Sequence, residues 1–160
     1  MTAVAATGPD ARAALRNPWL VAGGMLSLAA ALLHLAIIAG GPDWYRFFGA
    51  GEKMARAAEF RSWRPAAFAI AIAGVLASWS AFAFSGAGLI GRLPLLRTAL
   101  LLISAIYLLR GLAILPLLAL RPGLVDSFAI WSSLIVLIYG VVHAVGTRRA
   151  WSSLSRKEVR

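Results

Sequence analysis

The sequence predicts an all-α protein: an integral membrane four-helix bundle with one or two short interfacial helices in its first loop. Three observations carry that prediction. The 160 residues are 61% hydrophobic and only 14% charged, whereas a soluble domain is about 45–50% apolar and about 25% charged. Mean hydropathy is +0.80. Four apolar runs each reach the about 20 residues that a helix needs to cross a bilayer.

An N-terminal segment, 1–17, precedes the first run. Asn17-Pro18 opens that run with a capping side chain and a residue whose missing N–H costs nothing in a first turn. The run from Trp19 to about Gly40 outlasts the about 7–15 apolar residues of a cleaved signal, so it reads as a retained span. A loop over 41–65 follows. The second span covers about 66–84, after Pro65. The string "SGAGLIGRLP" is a turn-rich connector. The third span covers about 95–120 and is closed by Arg121-Pro122-Gly123. The fourth covers about 127–147 and ends at Arg148-Arg149. The membrane domain is thus 18–150, with a basic tail over 151–160.

Net charge is +10 and the isoelectric point about 11.6. In a soluble protein that charge suggests nucleic acid. Here the basic residues gather at the ends of apolar runs, where anionic headgroups lie, so membrane lipids and not nucleic acid are the expected partners. Arg12, Arg16, Arg92, Arg97, Arg148, Arg149, Arg156, Lys157 and Arg160 share one side of a four-span layout. Arg46, Lys53, Arg56, Arg61, Arg64 and Arg121 share the other, diluted by Asp43, Glu52, Glu59 and Asp126. That bias predicts that both termini are cytoplasmic. The absence of cysteine excludes disulfides and thiolate metal sites.

Small residues repeat at helical spacing. In the second span Ala67, Ala71, Gly74, Ser78, Ala81 and Ser85 form a seam, beside Phe68, Ile72, Val75, Trp79 and Phe82. In the first span Gly24, Ser27, Ala31 and His34 form a shorter one. Such seams let membrane helices approach closely. "LLHLAII" in the first span resembles "LLRGLAIL" in the third, an internal similarity that would make the chain two helical hairpins and pair His34 with Arg110.

Arg110 raises the main chemical question. It lies ten residues before Leu120, roughly 15 Å along the helix, and a guanidinium stays charged at any ordinary pH. His34, Tyr107, Ser132 and Ser133 fall at comparable depth and suggest a polar layer in one half of the bundle. No span contains a carboxylate. The aromatic and acidic loop "GGPDWYRFFGAGEKMARAAEFRSWRP" is therefore expected to act as a lid. Glu52 or Glu59 would neutralise Arg110, with Asp43 and Asp126 as substitutes. The competing expectation is that Arg110 snorkels outward to water or lipid phosphate. The candidate ligand-binding set is Arg110, Tyr107, His34, Glu52, Glu59 and Ser132. If the site is catalytic, His34 would move a proton and Glu52 would assist.

Other chemistry finds little footing. His34 lies roughly 9 Å from the loop end of its span and His143 roughly 24 Å into the fourth, too uneven to share a haem. No metal motif, nucleophile elbow or phosphate loop is present, and no cofactor is expected. His143, beside Arg148, reads as an interfacial residue. The loop string "WYRFFGAGEKMA" resembles that of small four-span bacterial membrane proteins, a resemblance that brings no activity. The layout of a first-span histidine followed by an aromatic, acidic loop is loosely similar to sterol-isomerase-like four-span proteins. Those carry acids within their helices and this chain does not, so their chemistry is not carried over.

The functional expectation is a small polytopic protein with a polar ligand or partner site beneath loop 41–65, for instance for a lipid-like molecule. Two alternatives stand beside it. One is an intramembrane acid–base enzyme acting on a lipid-like substrate. The other is an accessory subunit that uses its small-residue seams to bind a partner membrane protein or a second copy. The first expectation requires a pocket lined by His34, Tyr107 and Arg110. The accessory role requires a filled core and an outward-facing seam.

Overall fold

Asn17 starts the first helix as its position predicts. Its Oδ1 accepts from the backbone N–H groups of Trp19 at 3.1 Å and Leu20 at 3.4 Å, satisfying donors that a helix start leaves unpaired. Its Nδ2 donates across the bundle to the Gly146 carbonyl at 2.7 Å. In the computed structural model, which describes residues 17–155, this helix is α1 (Pro18–Gly40). It is followed by α2 (Pro42–Phe47), α3 (Glu52–Glu59), α4 (Arg64–Gly86), α5 (Leu96–Leu112), α6 (Ile114–Leu120) and α7 (Ser127–Ser155). No strand occurs among the described residues. The expected segments 1–16 and 156–160, with Arg12, Arg16, Arg156, Lys157 and Arg160, lie outside them.

Four helical stretches are long and apolar enough to cross a membrane: α1, α4, α5 continued through α6, and α7 as far as Ser152. Successive long helices run antiparallel and pack as two hairpins, α1 against α4 and α5 against α7, closed by contacts of α1 with α7 and α4 with α5. The loop carrying α2 and α3 covers one end, here called the lid end. Residues 17, 86–96 and 155 mark the opposite, terminal end.

Each core layer follows from residue size. At the terminal end Leu20, Leu96, Leu100 and Leu154 close around Ala83 and Ala150. In the middle Ala31, Ala73, Leu76, Ile103 and Tyr107 interdigitate, and under the lid Ile37, Tyr45 and Ala55 form a third cluster. Glycine sets the spacing of α5 and α7. A Cβ on Gly111 would stand 2.7 Å from the Leu137 Cα, and one on Gly140 would stand 2.8 Å from the Leu108 backbone nitrogen. The two backbones therefore touch at both places, the contact that small residues permit. Outward-facing positions such as Leu101, Leu102, Ile106 and Leu109 are exposed and apolar.

Two expectations are corrected here and a third is refined. The third span keeps its expected extent, Leu96–Leu120, and its helix is interrupted at Ala113, between α5 and α6. Pro116 has no N–H to offer the Leu112 carbonyl and crowds it, which breaks a helix one turn back. The fourth helix runs to Ser155, eight residues past the expected Thr147, because Arg148 and Arg149 continue it as solvated side chains. The α4 seam also faces the other way. Ala71, Gly74 and Ser78 are exposed while Ser85 of the same seam is buried, and the buried face is Ala69, Ala73, Leu76, Ser80 and Ala83, continued by Ala87 just past the helix end. That row has the same alternating spacing, displaced by two residues or about 200° of helix. The α1 seam of Gly24, Ser27 and Ala31 is buried as expected.

Candidate functional site

The lid is built around one arginine. Gly49 and Gly51 take positive φ, 70° and 88°, a conformation that glycine adopts at little cost, and the chain turns there between α2 and α3. The turn brings three carboxylates to Arg46. Its Nε donates to Glu52 Oε2 at 2.9 Å, its Nη2 to Glu59 Oε1 at 2.5 Å and its Nη1 to Asp43 Oδ1 at 3.1 Å. Arg56 Nε adds a bond to Glu52 Oε1 at 3.0 Å. Hydrogen bonds from Arg46 and then Arg56 hold the Glu52 carboxyl well below its usual range, at about 2. Hydrogen bonds to Glu52 and Glu59 push the Arg46 guanidinium further up. On the inner side of the lid Tyr45 is 5% exposed, and burial raises its phenol.

Beneath the lid lies a cavity of about 270 Å³ between α1 and α4. Tyr45, Phe48 and Met54 roof it, His34 and Ile37 wall it on α1, and Phe68, Ala69 and Ile72 wall it on α4. The His34 Nδ1 lies 2.8 Å from the Ala30 carbonyl oxygen. A carbonyl can only accept, so Nδ1 carries the proton and, in neutral imidazole, Nε2 is the acceptor. The cavity is thus an apolar pocket with one imidazole, and Tyr45 brings it a phenol.

Arg110 does not belong to it. Its guanidinium is on the exposed side of α5, and its Nη1 donates to Ser133 Oγ at 3.2 Å. Glu52 and Glu59 are held by Arg46, and Asp126 accepts from the Ala129 backbone at 2.7 Å. Among the described residues no carboxylate pairs with Arg110. The expected counter-ion is therefore not formed, because Arg46 is adjacent in sequence and meets all three loop acids first. Ser132 turns back to its own helix, donating to the Ala129 carbonyl at 3.3 Å; its neighbour Ser133, 2% exposed, takes Arg110 instead. The acid–base set of His34, Glu52 and Arg110 is not brought together.

Tyr107 also lies elsewhere. Its hydroxyl is 2.9 Å from Ser27 Oγ across the centre of the bundle, with its ring against Trp79, Tyr139 and His143. His143 is fully buried. Its Nδ1 donates to the Tyr139 carbonyl at 2.9 Å, and its Nε2 lies 3.5 Å from Ser27 Oγ. This corrects the interfacial reading of His143, which followed from ending the fourth helix too early. The signal for this central cluster was present in Ser27, within the α1 seam, and in Gly23, over which the imidazole sits: a Cβ there would be 2.8 Å from His143 Cε1. Among the described residues no group of three metal-ligating side chains converges.

No family model, no curated protein and no solved structure matches this chain.

Proposed function

We propose that this chain is a multi-pass protein of a bacterial cytoplasmic membrane, with both termini cytoplasmic, that binds a small amphiphilic molecule beneath the lid. The observation that carries the ligand reading is the cavity of about 270 Å³ walled by His34 and roofed by Tyr45. Ligand pockets are mostly apolar and carry a few polar groups that fix orientation. An apolar body would fill the space between α1 and α4, and one hydroxyl or amide N–H would meet the His34 Nε2. Four apolar helices support the membrane placement. The Lys/Arg bias supports the orientation: the described acids all lie at the lid end, whereas Arg92, Arg97, Arg148 and Arg149 lie at the other.

Extraction of the purified protein and mass spectrometry of what leaves it tests this reading. A lipid-sized molecule should copurify with the wild type and be depleted in Ala69→Phe, which fills the cavity, and in His34→Leu, which removes its imidazole. Equal recovery from all three would refute the pocket as its seat.

A second reading has its own observation. The outward row of Ala71, Gly74 and Ser78 leaves open space at Gly74, the kind of surface on which another membrane helix packs. Gly74→Leu should then weaken association with a partner or second copy and leave the monomer folded. Unchanged association would discard this role.

A further inference from the structure

Arg110 carries a permanent charge into the apolar middle of the third span. It stands fourteen residues after Leu96 and ten before Leu120, about 21 Å and about 15 Å along the span. The hydrocarbon core of a bilayer is about 30 Å thick, so the guanidinium lies near its centre, where an unpaired arginine is costly. Arginine has five N–H donors, and the Ser133 hydroxyl takes one of them at 3.2 Å. Among the described residues no carboxylate pairs with it. Arg110 stands in the last turn of α5, where the helix end offers a partial negative charge but no anion. A second copy cannot supply one from within the bilayer. The six acids of this chain are Asp10, Asp43, Glu52, Glu59, Asp126 and Glu158, and none falls in a long apolar helix. The surface around the guanidinium is open: Ile106, one turn before it, Leu109, and Ala113 just past the end of α5 are all exposed and apolar.

We propose that this face of α5 docks a spanning helix of a second, different membrane protein, one that carries an aspartate or glutamate near the middle of its span. The inference rests on the membrane placement above and is independent of the pocket under the lid. The face lies on α5, apart from the Gly74 row on α4. A guanidinium fits a carboxylate through two parallel N–H donors. Each ion alone is costly to its own chain in the bilayer, and ions at that depth pair with one another. A lipid phosphate fits less well, because headgroups lie about 15 Å from the centre of the core, beyond the reach of an arginine side chain. The apolar residues beside Arg110 give the incoming helix its van der Waals contact.

The test is energy transfer between the labelled full chain and a labelled synthetic helix of leucine and alanine, both in phosphatidylcholine vesicles. The wild type should bind a helix with a central aspartate about five- to thirtyfold more tightly than one with a central leucine, the range for polar contacts between model membrane helices. Aspartate moved to the end of the helix should give no such preference. Arg110→Leu should abolish the preference and Arg110→Lys should keep part of it, while Arg110→Asp should instead prefer a helix with a central lysine. Arg110→Leu takes a charge out of the apolar core, so it should fold, which thermal unfolding checks. Equal binding of the aspartate and leucine helices by the wild type, or a preference that survives in Arg110→Leu, would overturn the face. In native membranes Leu109→benzoylphenylalanine should cross-link to a polypeptide with an acidic residue in a span, and adding Arg110→Leu should abolish that product. Adducts to lipid alone, to a second copy, or to a polypeptide whose spans hold no acid would overturn it too. A chain that fails to enter vesicles overturns the membrane placement as well; one that enters and shows no preference overturns this face alone.

Discussion

Arg46 and Arg110 carry the same guanidinium into different surroundings, and the fold satisfies them by different means. Arg46 meets three carboxylates within its own loop. The linkage has a definite sign. The Glu52 carboxyl is lowered from 4.5 to about 2 in the closed lid, so its contribution to closure is complete above about 4.5 and is lost as pH falls toward about 2. A spin label on Lys53→Cys should therefore stay immobile from pH 7 to about 4.5 and loosen below, while Arg46→Gln should be mobile already at pH 7. Among the described residues Arg110 donates to the Ser133 hydroxyl and meets no carboxylate. Its pairing was misjudged from sequence because depth and charge were legible, but competition among cations for the same acids was not. At the bundle centre Ser27→Ala removes the hydroxyl shared by Tyr107 and His143. The expected cost is about 0.6 kcal/mol and at most about 1.7, the range for hydrogen bonds between membrane helices, read from unfolding in detergent.

Among the elements, glycine separates two kinds of surface. At Gly111 the Leu137 backbone blocks any side chain. Gly111→Ala should push α5 from α7 and destabilise by about 1–3 kcal/mol, the cost of overpacking. At Gly74 nothing lies within 4 Å, so Gly74→Ala should stabilise by about 0.5–1 kcal/mol through helix propensity. Thermal unfolding of the two variants side by side checks both signs. The positions of the long helices were readable because runs of apolar residues bounded by Pro, Gly and Arg leave few alternatives. The buried face of α4 was not, since two rows of small residues with the same period lie on opposite sides. Only the partners α1 and α5 choose between them. Pro116 was a local break signal within the third run, and the chain obeys it.

For the whole molecule, helix order and charge together make one topological prediction. The chain has no cysteine, so single substitutions report sidedness without background. Cysteines at Ser62 and Lys53 should react with an impermeant maleimide from outside intact cells, and one at Ser152 only after lysis. The reverse pattern would invert the membrane orientation, and with it the lid.

Photo-methionine probes the space beneath that lid most directly, because Met54 faces the cavity and Met25 is 56% exposed on the bundle surface. After irradiation in native membranes, a lipid-sized adduct on the Met54 peptide that is lost in Ala69→Phe is the predicted result. Bulk-lipid adducts on Met25, with Met54 cross-linked to nothing but its own chain, would contradict an amphiphile seated against His34.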